Sequence, residues 1–140
     1  MSYVVRGEEK MNKLKLVNGQ LGLELEHKDG NWIMLKEYGY SPVQMLVASI
    51  GACGQYVYKS VLERSSIPGK LRDVMIEYAV DENSKSHQLT HVNIVFDIEI
   101  EPQFQTKALS ALRLVNEYCP VIQSLDPKIV IEKSVNFIDF

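Results

Sequence analysis

Alternation of apolar and polar positions opens the chain. Leu21, Leu23 and Leu25 alternate with Gly22, Glu24 and Glu26, the period of a strand with one buried face. Lys13–Val17 and Leu21–Glu26 flank Asn18-Gly19, the signal of a two-residue type I′ hairpin, whose turn positions both need positive φ. A second turn signal, Asp29-Gly30, leads into Trp32–Lys36. These runs predict a β-meander. The period then changes. Ser41 can cap the first free N–H groups of a helix, and Pro42 suits its first position. From Val43 to about Glu63 apolar residues occupy nearly every helical face, which predicts a long helix buried on all sides. Gly51 and Gly54 inside it each cost about 1 kcal/mol against alanine, a cost that fits a place where another backbone comes close. A chain of this size hardly surrounds a whole helix, so a second subunit is expected to help cover it.

Pro68-Gly69 turns the chain into two alternating runs, Val74–Val80 and Val92–Ile100, joined by the polar loop Asp81–Gln88 as an antiparallel hairpin. A second amphipathic helix is expected over about Gln105–Tyr118, with Ala108, Leu109, Ala111, Leu112 and Val115 inward and Lys107, Arg113 and Glu117 toward water. Cys119-Pro120 interrupts it, because proline disfavours helical geometry in the residue before it. A last strand spans Lys128–Phe137. The order βββ–α–ββ–α–β, with helices segregated from antiparallel sheets, is that of an α+β fold.

The chain has 140 residues and a net charge of −3, so one domain over residues 1–140 is expected. About a third of it is Leu, Ile, Val or Phe, well above the level at which disorder becomes the default. The charge leaves no electrostatic footprint for a phosphate backbone, which argues against nucleic acid. Met1–Lys10 holds no apolar run of signal-peptide length. The most apolar stretch, Val43–Leu62, is broken by Gln44, Gln55 and Lys59 and does not read as a bilayer span. With two cysteines and no export signal, the cytoplasm is the expected compartment.

Three histidines, His27, His87 and His91, show no metal-ligand spacing with the cysteines, and no phosphate-binding glycine loop exists. Neither metal nor cofactor is therefore expected. Cys53 lies within the apolar helix, where a thiol is often just a small hydrophobe. Cys119 sits where the second helix stops, and N–H groups of a following turn would lower its pKa. Two such thiols could meet across the core, one oxidised and the other resolving it.

Ser41–Gly54 (SPVQMLVASIGACG) and Glu117–Leu125 (EYCPVIQSL) resemble the two cysteine motifs of the OsmC/Ohr family, and their separation and the element order fit as well. The resemblance implies an intertwined homodimer of two sheets about a long buried helix, with thiol peroxidase chemistry on organic hydroperoxides. Cys53 would be the peroxidatic thiolate and Cys119 the resolving thiol, their disulfide being reduced by an external dithiol of the lipoyl type. Peroxidase members place a glutamate directly after the helix-starting proline, orienting an N-terminal arginine that stabilises the thiolate. This chain has Val43 and Gln44 there, so Arg6 and Glu37 are the candidates for stabilising the thiolate. The alternative is a redox-active or hydrophobic-ligand-binding dimer of the same fold without efficient peroxidase turnover.

Overall fold

The leucine alternation at the start of the chain forms shorter strands than its length predicts. The computed structural model describes residues 11–138, which fall into two compact units dividing in sequence between Met45 and Leu46. The first holds an antiparallel sheet in the order β1 (Leu16–Asn18), β2 (Leu23–Leu25), β3 (Trp32–Ile33). Leu16 pairs with Leu25 and Asn18 with Leu23, and Glu24 pairs with Ile33. The meander is therefore present, but its first turn differs from the expected type I′. Asn18 and Gly19 both lack positive φ. The link is a four-residue loop closed by the Gly19 N–H on the Gly22 carbonyl at 2.9 Å. A Cβ at 19 would meet only the Glu24 side chain, whose flexible carboxylate end can move aside. Gly30 does take the left-handed side, at φ 122°. Leu21 and Leu23 stay exposed in the described chain and Leu25 is only half-buried, so the expected buried face is open.

Helix α1 (Pro42–Arg64) starts where the sequence places it. The Gln44 N–H donates to Ser41 Oγ at 3.1 Å, and the Ser41 N–H donates to Gln44 Oε1 at 2.9 Å. This is a reciprocal capping box. The helix is not buried on all sides: Val47, Ile50, Gly54, Tyr58, Val61 and Leu62 are covered, whereas Leu46, Ala52 and Tyr56 are open. One chain supplies enough apolar surface for only one face of so apolar a helix.

The second unit is built on β4 (Gly69–Val80), β5 (Leu89–Ile100) and β6 (Val130–Ile138), in that order. β4 and β5 pair antiparallel, with Ile76 opposite Ile94 and Val74 opposite Phe96. A bulge between Leu71 and Val74 shifts the phase of alternation, which is why the sequence pattern is clear only from Val74. β6 runs parallel to β5, so this sheet is mixed and the expectation of two antiparallel sheets fails here. The physical reason lies in the connection: the residues between β5 and β6 are mostly helical, and such a crossover is what joins parallel neighbours.

On β5, Val92, Ile94, Phe96, Ile98 and Ile100 are buried as the alternation predicts. Ile131, Val135 and Phe137 of β6 pack against the same core. Lys133, on the same alternating face, is half-buried and its pKa is lowered by that burial. An inward lysine on an edge strand discourages sheet-to-sheet association. The second helix breaks into α2 (Gln105–Ala111), α3 (Arg113–Tyr118) and α4 (Pro120–Gln123). Ala108, Ala111, Leu112 and Val115 are buried as expected and Lys107, Arg113 and Glu117 are exposed, but Leu109 is 48% exposed and leaves the predicted stripe. The Tyr58 hydroxyl donates to the Ala108 carbonyl at 2.7 Å, and its ring lies 5.0 Å from that of Phe96. That bond ties α1 to α2 over the sheet.

Candidate functional site

Cys53 and Cys119 meet inside the second unit. Cys53 follows Gly51 and precedes Gly54, and both glycines let α1 approach its neighbours. A Cβ on Gly51 would sit 2.6 Å from Ile76 Cγ1, too close to coexist with it. A Cβ on Gly54 would reach Ile94, Phe96 and Val115 at 3.4 to 3.7 Å, ordinary contact distances. α1 at this level therefore packs against β4, β5 and α3 together. α3 ends at Tyr118, and Cys119 follows with φ −82° and ψ 110°, the extended geometry that Pro120 imposes. Its N–H donates to the Val115 carbonyl at 3.0 Å, and its carbonyl accepts from the Gln123 N–H at 3.0 Å. The residue is thus clamped between the end of α3 and the start of α4.

The two thiols lie near each other, close enough for Cys53 to act on the Cys119 sulfur. Cys119 is fully buried, whereas Cys53 is half-buried, and both are free thiols. The Cys119 thiol is raised above its ordinary pKa, first by burial and next by the neighbouring Cys53 thiol. The backbone N–H groups of Ile122 and Val121 pull it down. The expectation that a helix start would lower the Cys119 pKa is thus met in part and overturned in sum, because desolvation of a thiolate exceeds what two amides return. Cys119 is held as a protonated thiol beside a more accessible one.

Glu37 is exposed in the turn over residues 36–38 of the first unit, and Arg6 lies outside the described residues. Gln44, one residue after Val43, spends its side chain on the Ser41 cap. The signal for that cap, Ser-x-x-Gln, stands in the sequence. The Val121 and Ile122 amides could not be picked from residue types, since backbone donors carry no side-chain signature. His27 Nδ1 accepts from the Asp29 N–H at 3.1 Å, His87 occupies a left-handed position at φ 48°, and His91 is exposed on β5. Among the described residues no cluster of His, Cys, Asp and Glu is arranged to hold a metal ion, and no helix is long and apolar enough to cross a membrane.

Comparison with known proteins places this arrangement. Solved structures share the fold: a hypothetical protein from Aquifex aeolicus VF5 superposes with a TM-score of 0.71 at 17% identity, covering 94% of this chain and 99% of that one. An OsmC-like protein from Mycoplasma pneumoniae gives 0.68 at 15% identity, over 94% of this chain and 98% of its own. An organic hydroperoxide resistance protein OsmC from Legionella pneumophila gives 0.60 at 19% identity, over 91% and 99%. No curated protein is matched by this sequence. The sequence model of the OsmC-like protein family matches residues 35–134, a stretch that runs from before α1 into β6 and holds both cysteines. With that span and the shared fold, the chain belongs to the OsmC-like protein family.

Proposed function

We propose that this protein is a cysteine-based peroxidase that reduces organic hydroperoxides, with Cys53 as the peroxidatic residue and Cys119 as the resolving one. The observation that carries the reading is the pair of neighbouring free thiols, with the resolving one buried and the attacking one half-open. In the first step the Cys53 thiolate attacks the distal oxygen of ROOH. The O–O bond breaks, sulfur becomes a sulfenic acid and the alkoxide leaves, taking a proton as ROH. In the second, Cys119 sulfur attacks the sulfenic sulfur, and the hydroxyl departs as water with the Cys119 proton. An external dithiol, of the lipoyl type in related peroxidases, then reduces the disulfide and is itself oxidised. The raised Cys119 pKa supports this division of labour, since a thiol that stays protonated does not compete with Cys53 for the peroxide. Related solved proteins carry hydroperoxide resistance in their names.

The working form in this reading is a homodimer with its sites at the subunit interface. The open face of α1 and the exposed Leu21 and Leu23 supply the apolar surface that a second copy would cover. Arg6 and Glu37 remain candidates for holding the thiolate.

Thiol counting and intact mass on reduced protein test the reading, before and after one equivalent of cumene hydroperoxide. Loss of two thiols with a decrease of about 2 Da is expected. Cys53→Ser should consume no peroxide, and Cys119→Ser should complete one turnover and stall. Equal multi-turnover rates in both variants overturn the assignment. One observation favours a second reading, a redox-active or hydrophobic-ligand-binding dimer without efficient turnover: Val43 stands where a peroxidase carboxylate is expected, and the Gln44 beside it is taken up by the Ser41 cap. A Cys53 that alkylates no faster than a free thiol at neutral pH would decide for it.

A further inference from the structure

A cavity of about 290 Å³ opens where the end of α1 turns toward β4, against α2 and α3. Its floor is apolar, with Ile67 and Ala111 buried and Leu114 half-buried. Its polar lining is of one electrostatic kind. Lys107 and Arg113 supply two cations and Ser65, Thr106 and Ser110 three hydroxyls, and among the described residues no carboxylate lines it. Neither cation takes part in an ion pair among the described residues. In a chain of net charge −3, two cations beside one hollow without a counter-charge make a local positive potential over an apolar surface.

Both walls are built by irregular backbone. Lys107 and Arg113 sit on successive helices joined at Leu112, where the Leu112 N–H bonds the Leu109 carbonyl at 3.2 Å and the Val115 N–H bonds the Leu112 carbonyl at 3.1 Å. These are i to i−3 bonds, the tighter turn that interrupts a regular helix. Opposite, Ser66 ends α1 at φ 55°, where glycine is the usual residue. The Ile67 N–H returns to the Leu62 carbonyl at 2.9 Å, which fixes Ile67 into the floor.

We propose that this cavity binds a small organic anion, a carboxylate or phosphate monoester with a short hydrocarbon tail. Arg113 presents a planar fork and Lys107 a point charge to the oxyanion, and the hydroxyls add neutral donors. The tail lies on Ile67, Ala111 and Leu114. The volume, about 290 Å³, lies just under the range of ligand pockets, which begins at about 300 Å³, and so restricts the ligand to a small molecule. The site does not depend on the thiol chemistry, because neither cysteine lines it.

Amide chemical shifts of the full, reduced chain, titrated with hexanoate, hexyl phosphate and uncharged 1-hexanol, test it. Saturable shifts confined to residues 65–67 and 106–114 are expected for an anion, with 1-hexanol at least tenfold weaker. Whichever of hexanoate and hexyl phosphate binds more tightly identifies the source of the oxyanion. Lys107→Met with Arg113→Met should weaken binding at least tenfold without changing the denaturation midpoint, since both side chains are exposed, and Arg113→Lys alone should weaken it less than the double variant, keeping the charge but losing the fork. The proposal falls if 1-hexanol binds as tightly as the anions, if the double variant binds unchanged, or if no anion gives saturable shifts at these residues.

Discussion

Strands β1 to β3 are two or three residues long, whereas β4 to β6 run nine to twelve. Both sheets draw on the same alternation of apolar and polar residues. In the first unit Leu16, Leu21, Leu23 and Trp32 stay exposed, whereas on β5 Ile94, Phe96 and Ile98 have no exposure at all. The difference teaches that period two only marks a face; burial needs something to lie on it. The longer sheet has α1, α2 and α3 against it, and so its alternation becomes a core. A short sheet with an open face is marginal by itself, and completing it falls to a second copy in the dimer proposed above.

The sharpest way to break this contrast is at Phe96. Phe96→Ala should lower stability by about 3–5 kcal/mol, because it leaves a cavity between Tyr58 and the sheet, as read from a urea midpoint. Gly51→Ala comes next. The new Cβ would strike Ile76 Cδ1 and Cγ1, and the overpacking should cost about 1–3 kcal/mol. Ile76→Val in the same chain should recover part of that loss; no recovery would mean that α1 is set against β4 by something other than this contact. Ser41→Ala removes the oxygen that accepts the Gln44 N–H and should cost about 1 kcal/mol, measured by thermal unfolding. Smallest is Leu23→Ala in the first sheet, expected at about 0.5 kcal/mol or less in dilute protein, as for other exposed positions. A larger loss that grows as the protein is concentrated would show that a second copy covers this sheet.

The thiol pair adds a test by pH. Because Cys119 is raised in the folded state, the unfolded chain releases its proton first as pH rises. The folded state then binds more protons, so stability falls as pH climbs above the ordinary thiol value of about 8.5. Under reducing conditions that decline should be present in the wild type and lost in Cys119→Ala, measured by urea unfolding at neutral and alkaline pH. An identical decline in both would place its origin outside the thiol pair.

How much of the site can be read from the residues follows from the same contrast. Ser41, Pro42 and Gln44 specify the start of α1 locally, and the helix begins there. Pro120 forces the extended geometry of Cys119, and the chain breaks there. Leu109 leaves the stripe because, at 3.6 residues per turn, it points well round from the face that Ala108, Ala111, Leu112 and Val115 share. The turn at Asn18-Gly19 differs from the expected type I′ because turn chemistry alone does not choose between a two-residue and a four-residue loop.

By itself the sequence determined the order of elements, the cap of α1, the buried face of β5 and the two thiols, since each depends on neighbours a few residues away. The tertiary structure alone decided that β6 runs parallel to β5, that only one face of α1 is covered within the chain, and that the Cys119 thiol is raised instead of lowered. Strand direction depends on where a crossover returns, and a pKa depends on what excludes water. Both are set by residues remote in sequence, and no local pattern encodes them.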